Sequence, residues 1–295
     1  MWEETIQRIP LEKQKLLTQI VERLSAVPGV RAVVLGGSYA RGTQKPGSDL
    51  DVAMYYAEDA PFSLDAVRRV AESISAQGTP DVTDFYGWGA WVNGGAWIHT
   101  AAGKVDFLYR NLDQVQRAID DACRGVIHHD FNQQPAYGFY SVIYLAETRI
   151  NLPLYDPHGE IARLKEQVAV YPPALKEKGA ASNLWMAEFS LIHAEGYAKG
   201  GNGYAAVGAL TRTAAFLTQA LFALNETYFI SDKTAMQEVA AFPLAPQGYA
   251  ERLSAVLAHP GQTAEELQAA VKAMYGVWSS VVELTGGSYK PAFRV

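Results

Sequence analysis

The chain has 295 residues, an apolar fraction of 49% and a formal net charge of −6. Its length favours two domains over one large domain, its apolar stretches are shorter than the roughly 20 residues of a membrane span, and its negative charge disfavours extended nucleic-acid binding. The N-terminal residues have no apolar signal-peptide core, and the single cysteine, Cys123, cannot form an internal disulfide. We therefore expect a cytoplasmic protein that does not contact a membrane.

The first third of the chain alternates helix and strand patterns. Apolar residues at helical spacing over residues 5–26 predict a helix that ends at VPGV. Two apolar runs follow, VRAVVLGG and DLDVAMYY, and each predicts a strand. Residues 64–76 return to helical spacing, and residues 96–109 contain two strand-like runs around AAGK, which predict a hairpin.

From residue 111 onward the pattern changes to long helices that are rich in Ala and Leu. The clearest of them cover residues 183–199, 204–228 and 264–284. Pro and Gly residues separate these helices, and no fixed repeat period is present. We place the domain boundary near Arg110, which predicts an α/β domain over residues 1–110 and an all-α domain over residues 111–295.

Aspartates occur inside two of the predicted strands. Side chains alternate between the faces of a strand, so Asp49 and Asp51 project from the same face. Neighbouring carboxylates repel each other unless a cation lies between them, and Mg²⁺ suits their oxygens. If the hairpin lies beside this strand, Asp106 adds a third carboxylate, and such clusters hold two ions ~3.5 to 4 Å apart. Alternatively, the Asp-x-Asp pair is a solvated strand end, and Asp106 forms an ion pair with Lys104 or Arg110.

A Gly-Gly-Ser turn lies upstream of these aspartates. Gly36 and Gly37 allow the backbone to approach a ligand closely, and Ser38 supplies a hydroxyl at the start of a helical turn. Arg41 adds a forked cationic donor that suits a phosphate or an acidic neighbour. Glycines before a polar turn are also typical of an ordinary turn, so the combination with the aspartates is what favours phosphate binding.

The Gly-Gly-Ser turn followed by the strand aspartates resembles the pattern of the nucleotidyltransferase superfamily of DNA polymerase beta. The matching residues are Gly36, Gly37, Ser38, Asp49 and Asp51, with Asp106 in the place of the third carboxylate. A small domain followed by helices is most similar to the aminoglycoside and lincosamide nucleotidyltransferases. The resemblance implies a mixed sheet in the first domain, two Mg²⁺ ions bound by the three aspartates, and a nucleoside triphosphate, with ATP expected, near the glycine turn.

The implied activity is transfer of a nucleoside monophosphate to a hydroxyl of a small molecule, with an antibiotic among the candidate acceptors. The alternative is a nucleotide-binding regulatory or antitoxin-like protein that modifies or binds a protein partner. The minimal antitoxin-like members resemble only the first domain. The long helical extension therefore favours the enzyme.

The helical region offers three further candidates. Glu195 and Lys199 are four residues apart, so the glutamate could act as general base and the lysine could contact the triphosphate. The alternative is an ordinary surface ion pair on one helix face. Lys233 lies in a stretch similar to a segment of the aminoglycoside enzymes whose lysine contacts the triphosphate, or else it simply follows a helix N-cap.

Three tryptophans lie close to the predicted hairpin. Trp88, Trp91 and Trp97 could stack on a nucleobase or an acceptor, although most tryptophans in proteins belong to the core. Trp97 and His99 share one face of their predicted strand. We therefore expect this pair to be the more relevant to ligand binding.

Overall fold

The computed structural model describes residues 8–293. The elements of its first part are α1 (Leu11–Ser25), β1 (Ala32–Leu35), α2 (Gly37–Arg41), β2 (Leu50–Tyr56), α3 (Leu64–Ile74), β3 (Asp81–Val82), β4 (Gly95–Thr100), β5 (Gly103–Asn111) and α4 (Leu112–Cys123). They are followed by β6 (His129–Asp130), β7 (Phe139–Tyr140), α5 (Val142–Ile150), β8 (Leu152–Tyr155), α6 (Glu160–Gln167), α7 (Pro173–Lys199), α8 (Gly203–Leu224), α9 (Asp232–Val239), α10 (Tyr249–Ala258) and α11 (Ala264–Glu283).

The main sheet has six strands in the order β3-β4-β5-β2-β1-β8. Strands β2 and β5 run parallel, and the other neighbouring pairs are antiparallel. The mixed sheet expected from the resemblance is therefore confirmed. The predicted hairpin is also confirmed as β4 and β5, and it lies beside β2.

Side chains alternate along the strands, so the two faces of the sheet differ in composition. Val52 and Met54 of β2 and Phe107 of β5 are buried in one apolar core, together with Ile20 and Leu24 of α1. Helices α1 and α3 contact each other on this side and supply its cover. Residues at the alternate positions project from the opposite face, and the acidic residues of β2 and β5 are among them.

Helix α1 is shorter than the helix that the apolar pattern over residues 5–26 predicts. It begins at Leu11, after Pro10 in the N-cap position, rather than at residue 5. Residues 5–7 lie outside the described part of the chain. The three long helices predicted downstream are present as α7, α8 and α11, and α7 begins ten residues earlier than predicted because its first turn contains Pro173, which is favourable at that position.

The chain divides into two compact units at positions that differ from a single boundary at Arg110. The first unit contains residues 1–120 and 144–170, and the second contains residues 121–143 and 171–295. The first unit takes in the later segment because β8 pairs with β1. Pro153 made this segment resemble a helix-separating loop, yet a proline is tolerated on an edge strand or at an irregularity, and the register between β1 and β8 shifts next to its partner Val34.

The second unit, called the helical unit below, is built around α8. This helix packs along α7 and α11. By length and composition alone α8 could cross a membrane, but 67% of its most apolar window is buried inside the structure. Its apolar sequence is thus explained as that of a core helix.

Candidate active site

Strand register places acidic and aromatic side chains in one row across the first unit. Asp51 on β2 is the register partner of Asp106 on β5. Asp106 is in turn the partner of Trp97 on β4, and Trp97 is the partner of Asp81 on β3. Register partners project from the same face of a sheet, so the row lies on the face opposite the apolar core. Two carboxylates predicted from separate strands, Asp51 and Asp106, are therefore neighbours.

The row continues into the Gly-Gly-Ser turn at the end of β1. The Gly36 N–H donates to the backbone oxygen of Asp51 at 2.8 Å. Gly37, the first residue of α2, has φ +59°, and a methyl group on it would lie 1.7 Å from Oδ2 of Asp51. The Asp51 carboxylate thus packs directly on the glycine turn. Ser38 is the next residue along, and Arg41 ends α2.

Asp49 lies just before β2 begins and is partly buried. Within residues 8–293, no group of three or more His, Cys, Asp or Glu side chains is placed to hold a metal ion. The three-aspartate metal site therefore stays a prediction. Only Asp51 and Asp106 are brought together by the sheet, because Asp49 precedes the paired segment. Its metal role stays a prediction.

A buried lysine supports this region and was not anticipated. Lys13 on α1 is 8% exposed, and its ammonium donates to the backbone oxygen of Ser48, directly before Asp49. It also lies 5.2 Å from the centre of the Tyr39 ring on α2. The sequence contained the signal, since Lys13 is four residues before Leu17 on the apolar stripe of the helix. Lys13 thus joins α1 to the loop and helix that flank the row.

The three tryptophans occupy different places. Trp88 and Trp97 stack with their ring centres 5.0 Å apart and an interplanar angle of 25°, and Trp97 is 57% exposed. His99 is exposed two residues further along the same face. Trp91 instead lies near Tyr144, whose hydroxyl donates to the Trp91 backbone oxygen. The predicted pair, Trp97 and His99, is thus the one on the face of the row.

Arg110, one of the two suggested partners of Asp106, binds another carboxylate. Its guanidinium donates two hydrogen bonds of 2.8 Å to Glu147 on α5. Burial lowers the pKa of Arg110, but the Glu147 carboxylate outweighs it, so the pKa lies above its ordinary value. Arg110 is 4% exposed, and its geometry is that of a structural ion pair joining β5 to α5.

The candidates from the helical region have local partners. The Lys199 ammonium lies 2.6 Å from Oε1 of Glu195 on α7, which is the surface-pair geometry. Lys233 is exposed, and its backbone N–H donates to the N-cap hydroxyl of Ser231 at 3.2 Å. Their roles as base and phosphate ligands stay predictions.

Comparison with known proteins identifies the first part of the chain. Residues 14–84 match the family of nucleotidyltransferase domains. This segment includes the Gly-Gly-Ser turn, Asp49 and Asp51, and it ends before Asp106. The resemblance predicted from these residues is confirmed over this segment, which matches a nucleotidyltransferase domain.

One similar solved structure is a nucleotidyltransferase-like protein from Exiguobacterium sibiricum 255-15. It has 10% sequence identity to this chain and a TM-score of 0.47, with 94% of this chain and 78% of that chain covered. No curated protein matches the chain. Neither the description of the family nor the name of this solved structure gives an acceptor.

Proposed function

We propose that this protein transfers the nucleoside monophosphate of ATP to a hydroxyl of a small-molecule acceptor in a Mg²⁺-dependent reaction. The observation that carries the proposal is the contact of the Asp51 carboxylate with Gly37, combined with the register pairing of Asp51 and Asp106. The turn that we propose for phosphate binding and the two carboxylates that we propose as cation ligands are therefore neighbours on the inner strands of the sheet.

Each residue of the turn has a distinct part in holding the triphosphate. The Gly36 N–H already donates to the Asp51 backbone oxygen, so the phosphate oxygens would approach the main-chain N–H groups that follow it, at Gly37 and Ser38. The Ser38 hydroxyl adds a donor, and Arg41 supplies positive charge at the other end of α2. These groups would bind the terminal phosphates and orient the α-phosphate toward Asp51.

The carboxylates fit Mg²⁺ by their chemistry. Mg²⁺ usually enters a protein site through one or two carboxylates together with substrate phosphates, rather than through a complete protein cage. Asp51 and Asp106 supply that donor set, and Asp49 would join them for a second ion. When bound, the metal neutralises charge on the transferring phosphoryl group.

The order of groups along the row also indicates the side from which the acceptor approaches. In-line displacement places the attacking hydroxyl opposite the departing pyrophosphate. With the phosphates at the turn on β1, the opposite side is that of β5 and β4. Asp106 and the exposed ring of Trp97 lie there. We assign this side to the acceptor.

The test is incubation of the protein with each of the four nucleoside triphosphates, Mg²⁺ and a panel of hydroxyl-bearing acceptors, with pyrophosphate release as the readout. Asp51→Asn and Asp106→Asn should each lower turnover by roughly 10²- to 10³-fold, because each removes charge at the transferring phosphate. Chelation of the metal should abolish release.

Asp59→Asn is the matched control, since Asp59 is an exposed carboxylate in the same unit. Its turnover should equal that of the unmodified protein. Full activity of a folded Asp51→Asn variant would contradict the metal role. Nucleotide binding without pyrophosphate release, across all four triphosphates and the acceptor panel, would favour the regulatory alternative.

A further inference from the structure

A cavity of about 220 Å³ lies inside the helical unit. Helices α8, α9 and α10 and the chain around β7 contribute its walls, which are mostly apolar and include Phe229, Met236 and Leu253. An engineered apolar cavity of about 150 Å³ in another protein binds benzene. The cavity here is therefore large enough for an aromatic ring with a short chain attached.

One charged side chain faces this apolar lining. Asp232 is the first residue of α9, and the backbone N–H groups of Ala136 and Tyr137 donate to its carboxylate. Burial raises the pKa of Asp232, and the two hydrogen bonds oppose the rise. Among the lining residues in the described part of the chain there is no Lys, Arg or His. The charge of Arg212 opposes the rise in pKa that burial causes at Tyr140, so this cation lies near the wall although it does not line the cavity. The lining itself therefore carries a negative charge and no cation.

The aromatic wall of the cavity is fixed by contacts between neighbouring rings. Tyr140 stacks on His129 with ring centres 4.1 Å apart, and it meets Phe229 edge to face at 5.9 Å. The buried Tyr140 hydroxyl has no hydrogen-bond partner within residues 8–293. Tyr137 lines the same wall. Aromatic faces attract cations, particularly where water is excluded. These rings, like the Asp232 carboxylate, therefore favour a positively charged ligand.

We propose that this cavity binds a small organic ammonium ion. Its apolar body would contact Phe229, Met236 and Leu253, and its ammonium group would pair with Asp232. An anionic ligand would meet a like charge, and a neutral hydrocarbon would remove water from the partly buried carboxylate without supplying a counter-charge, which costs free energy. All lining residues belong to the helical unit, so the site does not depend on the proposed nucleotidyl transfer.

The experiment is isothermal titration calorimetry of the full chain with two probes of one carbon skeleton. 2-Phenylethylamine is protonated at neutral pH, whereas 2-phenylethanol is neutral. The amine should bind at least roughly tenfold more tightly than the alcohol, because only the amine pairs with the carboxylate. Equal affinities, or no binding of the amine, would overturn the proposal.

Two variants and a control locate the site. Asp232→Asn keeps an oxygen that accepts hydrogen bonds but removes the charge, so amine affinity should fall to that of the alcohol. Ala215→Leu places extra methyl groups on the α8 wall and should weaken both probes. Glu283→Gln removes an exposed carboxylate from α11 and should leave the affinities for both probes unchanged. Undiminished amine binding by either folded cavity variant would refute the assignment.

Discussion

The two adjacent glycines of the turn should respond differently to the same substitution. At Gly37, φ is +59°, where an alanine costs about 1 to 2 kcal/mol. Its methyl group would also lie 1.7 Å from Oδ2 and 2.5 Å from Cγ of Asp51. At Gly36, the nearest atoms to an added methyl group are 3.8 and 3.9 Å away, which is ordinary contact.

Gly37→Ala should therefore lower the free energy of unfolding by roughly 1 to 3 kcal/mol, through backbone strain and displacement of the Asp51 side chain. Because the carboxylate must withdraw by more than 1 Å, turnover should fall by about 100-fold. Gly36→Ala should change the free energy of unfolding by less than about 0.5 kcal/mol. Its φ of −113° is accessible to any residue.

Urea denaturation monitored by circular dichroism measures the first quantity, and pyrophosphate release measures the second. Folded Gly37→Ala protein with reduced turnover would place the effect at Asp51 rather than in global unfolding. Equal destabilisation by the two substitutions would refute the steric reasoning. So would normal turnover of Gly37→Ala, because the carboxylate would then have no fixed position to lose.

Three further substitutions test other contacts. Trp97→Ala should raise KM for the acceptor or nucleotide by roughly 5- to 30-fold through lost stacking, with little loss of stability, and an unchanged KM would exclude this ring from binding. Lys13→Met should cost about 1 to 2 kcal/mol and speed amide exchange around Ser48, whereas unchanged exchange would contradict the anchoring contact. Glu188 is fully buried and accepts hydrogen bonds from Tyr289 and two backbone N–H groups. Glu188→Gln should cost roughly 2 to 3 kcal/mol and expose the C-terminal segment to proteases, and equal resistance would refute this.

Local patterns in the sequence were sufficient to predict the elements that carry the candidate site. The strand around Asp51, the hairpin that contains Asp106 and the glycine turn each follow from spacing within a few residues. The long helices also follow from such patterns, because the periods of strands and helices are local properties of the chain. The same local character explains why the Gly-Gly-Ser and Asp-x-Asp motifs could be recognised from sequence alone.

Tertiary structure decided which of these parts meet. Pairing of Asp51 with Asp106 depends on the register between β2 and β5, and entry of β8 into the sheet depends on a free edge at β1. In sequence Gly36 and Gly37 are equivalent, but only Gly37 lies against the Asp51 carboxylate. The partner of a side chain that is distant in sequence is set by packing of whole elements. No periodicity within one element specifies that partner.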